Sequence, residues 1–507
     1  MKMYFVNGCC GSNKTGAMIE FIGRNKDKFV VASMSIALAN ATAARFKAAF
    51  PDIASMTIHS DNFDNVRVEI EKALLDQSVH VIFVTHEAVL RYSALAGAGM
   101  AQLIIDEVPN VSSEFDRNLS LTYHSSFRKY FDAEEMSGYD GVKLVLKPEF
   151  YDEVKARAMN AHGDDEVKVT QDLWRKAVNK HWTLVMSQAA WNTDADQLGG
   201  KKKLIVSSEL HPGVVAQWSS VTIMGANVST SRMAMIWPSY SVEFEPHPAI
   251  GVTKPDHDTT VGNRLTIRYI TRRDFSKKLR DKVGMDVIAS AIADHLPDTY
   301  IWTVNNDIDT DDIKAIKAGT RVPPISHGLN EYRAHTTVVC LLALNDRNFH
   351  AKYLRTRYLL TDEQLHMSRT GETVYQLLMR SNLREADGIS DVVAWVADRR
   401  TAEYLADLIP GAKLEYVDLG LPALHLSKVD DKKPAASARE RMKKQRETRQ
   451  EARERVKAII ALHRAATVEI GDAPIWVTVE HSTSATRDEI DRVPSAISCA
   501  MIAIPAS

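Results

Sequence analysis

The 507-residue sequence predicts an α/β protein with two parallel-sheet domains in tandem. Apolar strand-like runs alternate with helical runs as far as Asn227, and the alternation resumes at Leu265 after a proline-rich break. Alternation of this kind implies right-handed βαβ units and parallel sheets that bind ligands at the strands' carboxyl ends. One such end carries a small-residue turn closing in Lys14-Thr15, and a later one carries Asp106-Glu107.

The first strand, Tyr4-Phe5-Val6-Asn7, runs into Gly8-Cys9-Cys10-Gly11-Ser12-Asn13-Lys14-Thr15 and then a helical stretch from Gly16 to Ile22. A glycine-rich turn directs backbone N–H groups at an anion, and the helix N-terminus adds partial positive charge. In a G-x-x-x-x-G-K-[ST] loop, Lys14 reaches the β- and γ-phosphates and the Thr15 hydroxyl binds Mg²⁺. Gly8, Gly11 and Ser12 supply the cradle. Asn13 stands where the second glycine belongs, and Asn tolerates the positive φ that position needs. The same spelling also suits an ordinary strand–turn–helix with a surface lysine.

Phe29 to Met34 reads as a second buried strand, followed by a helix from Ala37 to Ala49 that Pro51 ends. Met56 to His59 is a short strand, Val66 to Leu75 has helical apolar spacing, and Val79 to His86 and Leu103 to Glu107 are buried strands. An apolar run ending in two acids places both carboxylates at the edge where the phosphate loop opens. Asp106 can hold Mg²⁺ and Glu107 can polarise the attacking water. From about 110 to 181 the text turns polar and charge-rich, which reads as a helical insertion. Strand character returns at Trp182 to Met186, Lys203 to Val206 and Ser220 to Asn227.

Domain 1 is therefore expected over 1–236. A linker over 237–260 carries Pro238, Pro246, Pro248 and Pro255. A second α/β domain over 261–428 has strands at 265–270, 300–304, 337–344 and 391–396, with no phosphate loop of its own. Gln376, Arg380 and Arg384 fall at i, i+4, i+8 of a helical pattern. Arginines facing an interdomain cleft would neutralise developing γ-phosphate charge; the alternative is an amphipathic helix with solvated arginines. The last region, 429–507, is a small basic helical appendage. Its Arg/Lys/Glu run from Ser437 to Arg464 suits either a solvated helix or a phosphate-tracking arm.

An apolar fraction of 45% and a charged fraction of 25% are those of an ordinary globular protein. A net charge of −2 restricts any nucleic-acid site to a local patch. The four cysteines are too scattered for a disulfide framework or a zinc quartet, which points to a reducing, cytoplasmic setting. Neither a signal peptide nor a membrane span is legible.

Taken together, the stretches resemble a superfamily 2 helicase of the DEAD/DEAH-like P-loop kind, in the divergent form met in bacteriophage genomes. Gly8 to Thr15 resembles motif I. Ser33, and Thr85 with His86, fall where motifs Ia and Ib track a nucleic-acid backbone. Asp106-Glu107-Val108-Pro109 resembles motif II, and Gly225-Ala226-Asn227 stands where motif III is expected. Ser326 to Asn330 is similar to motif V, which implies Gly328 and Asn330 at the nucleotide. Gln376-x-x-x-Arg380 resembles motif VI, with Arg384 one residue later than usual. The resemblance covers roughly residues 1–425 and leaves out the insertion and the appendage.

What the resemblance implies is two RecA-like domains, with ATP and Mg²⁺ between them, driving translocation along single-stranded or forked nucleic acid. It favours DNA, a role in phage replication or recombination, replication proteins as further partners, and the host cytoplasm as location. Two rival expectations stand beside it. One is a packaging-type motor whose metal site would draw on Asp307, Asp309, Asp311 and Asp312. The other is a degenerate P-loop protein that binds nucleic acid without turnover.

Overall fold

The computed structural model describes residues 1–92, 94–160, 163, 165–192, 201–309, 311, 313–324, 331–385 and 388–425. Residues 1–136 and 140–430 form one compact unit. A second unit joins 137–139 with 431–507, and of it only the turn Ser137–Tyr139 is described. The expected basic appendage at 429–507 lies outside the described residues.

The chain starts with β1 (Lys2–Asn7), β2 (Lys28–Ser33), β3 (Ser55–Thr57), β4 (Val81–Thr85) and β5 (Ala101–Asp106). It then leaves this sheet for β6 (Ser112–Ser120), β7 (Phe131–Glu135), β8 (Gly141–Leu146), β9 (Trp182–Ser187) and β10 (Lys201–Leu210). It returns with β11 (Ser220–Gly225) and β12 (Glu243–Pro246). The first sheet runs β12-β1-β11-β5-β2-β4-β3, with every neighbour parallel. Strands covered on both faces need unbroken apolar runs, and Phe29-Val30-Val31-Ala32 and Val81-Ile82-Phe83-Val84 are wholly buried. Met18 and Ile22 of the helix Lys14–Gly23 and Phe46 of the helix Ile36–Ala49 pack into that core.

A second parallel sheet comprises β13 (Leu265–Thr271), β14 (Ile301–Val304), β15 (Thr320–Arg321), β16 (Thr337–Leu341), β17 (Val392–Asp398) and β18 (Lys413–Tyr416). Its order is β15-β14-β16-β17-β13-β18. Trp302, Trp395, Ile288 and Ile292 anchor its core. The architecture is thus two parallel-sheet domains in tandem. Among the described residues no helix is long and apolar enough to cross a membrane.

Two expected boundaries need correction. The insertion is not a helical segment ending near 181, because β9 and β10 belong to it. They join an antiparallel sheet of order β6-β10-β9-β8-β7, with β10 paired along β6 from Lys201↔Ser120 to Glu209↔Ser112. Short apolar strands fit either kind of sheet, so composition alone does not assign them. Three helices, Leu121–Lys129, Tyr151–Met159 and Asp165–Ala177, belong to the same insertion, and Phe127, Phe131 and Trp174 meet in its core. The supposed linker is the second correction. Glu243–Pro246 pairs in parallel with β1 as an edge strand, the place in a sheet where Pro246 is tolerated.

The helix Asn348–Tyr358 of the second domain bonds to the insertion sheet. His350 bridges Ser112 Oγ (2.9 Å) and Ser207 Oγ (3.0 Å), and the Tyr353 hydroxyl donates to Glu209 (2.8 Å). Arg347 pairs with Asp116 (2.8 Å) and Arg369 with Glu114 (3.1 Å). The insertion is therefore bonded to the second domain as well as grown from the first.

Candidate active site

The turn after β1 has a backbone geometry that suits a phosphate cradle. Gly11 has φ 87 and Asn13 has φ 57 and ψ 32, so Asn13 takes the left-handed conformation that glycine would otherwise supply. Lys14 is buried, and its Nζ donates to the carbonyls of Gly8 (2.8 Å) and Cys9 (3.1 Å). Ser12 Oγ is buried without a partner among the described residues. A buried lysine beside an unsatisfied hydroxyl at a helix N-terminus is a donor set that fits a phosphate.

At the end of β5 the Thr15 hydroxyl donates to Asp106 Oδ2 (3.3 Å). Burial, and then the neighbouring Glu107 charge, push the Asp106 carboxyl up to about 6, against the pull of Lys14. A carboxylate held in so unfavourable a place, touching a P-loop threonine, suits a divalent cation. Glu107 has φ 79, a left-handed conformation that costs a non-glycine residue about 1–2 kcal/mol and marks functional positions. It lines a cleft of about 600 Å³ that also receives Asn227, Glu372, Gln376 and Arg380.

The second domain reaches the cradle through the helix Glu372–Leu378. The Tyr375 hydroxyl accepts the Cys10 backbone N–H (3.0 Å) and donates to His257 Nε2 (2.8 Å). Burial holds His257 down to about 4, so its ring is neutral and can accept. The Cys10 thiol points to Gln376 Oε1 (3.5 Å). The expected helical stripe of Gln376, Arg380 and Arg384 is not one helix face, because the helix stops at Leu378. Ser381 ends it: its hydroxyl donates to the Leu378 carbonyl (2.7 Å) and accepts from Leu383 N–H (3.3 Å), a local alternative to helical bonding. Both arginines still arrive. Arg384 Cγ lies 3.5 Å from where a Cβ on Gly11 would stand. Arg380 is buried on the cleft, and desolvation, then Arg384, lower its pKa.

The chain has neighbours of low identity among solved structures. It aligns with XPD in its apo form at 11% identity and a TM-score of 0.44, over 82% of this chain and 97% of that one. For Xpd4 of S. tokodaii the values are 11%, 0.39, 82% and 96%. For Dbp5 of S. cerevisiae bound to RNA and ADP BeF3 they are 9%, 0.34, 82% and 85%. No protein-family model and no curated protein matches the sequence.

The residues expected to track nucleic acid sit differently from that expectation. Ser33 is 1% exposed and His86 8%, too enclosed to grip a strand in this arrangement. His86 Nε2 donates to the Asp106 carbonyl (2.9 Å), and the Thr85 hydroxyl caps the following helix through Ala88 N–H (3.4 Å). His86 thereby holds the strand end that carries Asp106. Gly328 and Asn330 lie outside the described residues. The loop that β16 sends toward the cleft is 342–347, with Leu344 on the cleft wall. In the acidic turn, Asp307 binds Arg280 (3.0 Å) and Lys277 (2.5 Å), and Asp311 pairs with Lys317 (2.5 Å). Asp312 lies outside the described residues.

Several site residues were not singled out from the sequence. Asn7 Oδ1 accepts Val228 N–H (2.8 Å) and fixes the loop after β11 to the strand that feeds the cradle. Glu372 accepts from Asn227 (3.0 Å), Gln376 (2.7 Å) and Tyr404 (3.2 Å). His257, Tyr375 and Tyr404 complete the set. An i, i+3, i+4 spacing of Glu372, Tyr375 and Gln376 was the available signal, and it says nothing of what that face meets.

Proposed function

We propose that this protein is an ATP-dependent nucleic-acid helicase or translocase, with DNA as the favoured strand and a role in phage replication or recombination. The observation that carries the reading is the meeting of a Lys14-Thr15 phosphate loop with Arg380 and Arg384 of the other sheet domain. Lys14, Ser12 and the backbone amides of the loop would hold the phosphates, and Thr15 with Asp106 would hold Mg²⁺. Bound MgATP supplies the phosphoanhydride bond whose hydrolysis drives movement.

Glu107 stands on the cleft to orient a water and accept its proton. Arg380, with Arg384 behind it, supplies positive charge where negative charge develops. A site completed by groups from two domains is active only when they are close, which ties hydrolysis to domain closure and so to stepping.

The test is the ATPase rate with and without single-stranded DNA, on the wild type and on Lys14→Ala. We expect stimulation by DNA in the wild type and a loss of about 10²-fold or more in the variant. Absence of turnover in the wild type with DNA binding intact would overturn the motor and favour a P-loop binding protein.

A further inference from the structure

Beside the Cys10–Tyr375 bond, one chain of polar contacts between the two sheet domains at the cradle runs through a single carboxylate. Asn7, the last residue of β1, accepts the Val228 N–H (2.8 Å). Adjacent Asn227, held at φ 53, donates to Glu372 Oε2 (3.0 Å) across the cleft. Glu372 Oε1 takes the Gln376 amide (2.7 Å), and the Gln376 carbonyl faces the Cys10 thiol (3.5 Å) of the phosphate loop. The path is a closed ring from the strand before the cradle, through the second domain, and back into the cradle. Every other member of the ring is a neutral amide or a thiol; Glu372 alone is a carboxylate that accepts on both oxygens, with Tyr404 (3.2 Å) as its third donor.

We infer that Glu372 is a positioning residue: it reads the first domain through Asn227 and sets Gln376, and with it the Arg380 turn, against the phosphate loop. An acceptor on both oxygens is what the position needs. A glutamine there would turn an NH₂ toward one of two amide donors and open the ring at that point. Glu372 touches no reacting atom in this role, so its loss misplaces groups without removing one. The inference rests on the ATPase reading above.

The experiment compares wild type, Glu372→Gln and Asn227→Gly, the latter removing the donor while keeping the left-handed backbone. Two measurements are made on the full chain: steady-state ATPase with single-stranded DNA, and hydrogen exchange at the amides of residues 8–16. We expect kcat to fall about 10–100-fold in both variants while KM for ATP stays within about threefold. The cradle amides should exchange about 3–10-fold faster. Wild-type kcat and exchange in both variants would overturn the inference. So would a loss of kcat with unchanged exchange, which would make Glu372 a participant in the chemistry. A wild type without ATPase would overturn the motor reading instead, and the exchange comparison alone would then decide the role of Glu372.

Discussion

Asp106 shows at the scale of one residue how a position in the candidate site works against stability. Its carboxyl is raised to about 6 in the fold, against 3.8 ordinarily. The folded chain therefore binds more protons than the unfolded chain between those values, and this contribution to stability is present below about pH 4 and lost as pH rises through about 6. Asp106→Asn removes the ionisation and should stabilise the protein at pH 7.5 by on the order of 1–3 kcal/mol, with no gain at pH 4. Thermal melts at the two pH values check this, and the same variant should lose ATPase. Asn13 is a residue-scale departure that the motif could absorb, because its side chain tolerates the φ of 57 the loop requires.

At the scale of elements, the helix Glu372–Leu378 and the turn after it deliver the second domain's half of the site. Because the helix ends at Ser381's local bonds, Arg380 leaves the helical stripe and enters the cleft wall. Arg380→Ala should lower kcat about 10³-fold while nucleotide binding is kept, as measured by ATPase and by titration with a fluorescent ATP analogue. The residue types here were legible in the sequence, but the termination was not. Helical spacing persists in the text past the point where a serine hydroxyl outcompetes the next helical bond. The strands of the two parallel sheets were legible as strands because unbroken runs such as Val81 to Val84 alternate with helical stretches, the pattern of a sheet covered on both faces. β9 and β10, whose apolar stretches are only Leu184 to Met186 and Leu204 to Val206, went to another sheet.

At the scale of the molecule, three bodies meet at Asp346, whose side chain is 2% exposed. Arg232 follows β11, Arg369 comes from the second domain and binds Glu114 of the insertion, and both arginines pair with Asp346. Removing Arg232 leaves the buried Asp346 with Arg369 as its remaining cation, so Arg232→Ala should cost about 1–3 kcal/mol. Calorimetry should show this as a lowered main transition that separates into two, since the pair lies where the bodies join. On the proposed function, closure of the cleft would also have to carry the insertion, through its bonds to the helix Asn348–Tyr358.

By itself the sequence determined the local chemistry: a loop able to cradle phosphate, two acids at a strand end, arginines downstream, and strands and helices alternating into parallel sheets. These follow from periodicity and residue type, which act over a few residues. Only the tertiary structure decided which groups share a site. Asn7, His257, Glu372, Tyr375 and Tyr404 are ordinary in the text, and they meet because strand order and domain packing bring chain-distant atoms within hydrogen-bond reach. The same long-range pairing gave β9 and β10 to the insertion, enclosed Ser33 and His86, and bound the insertion to both domains.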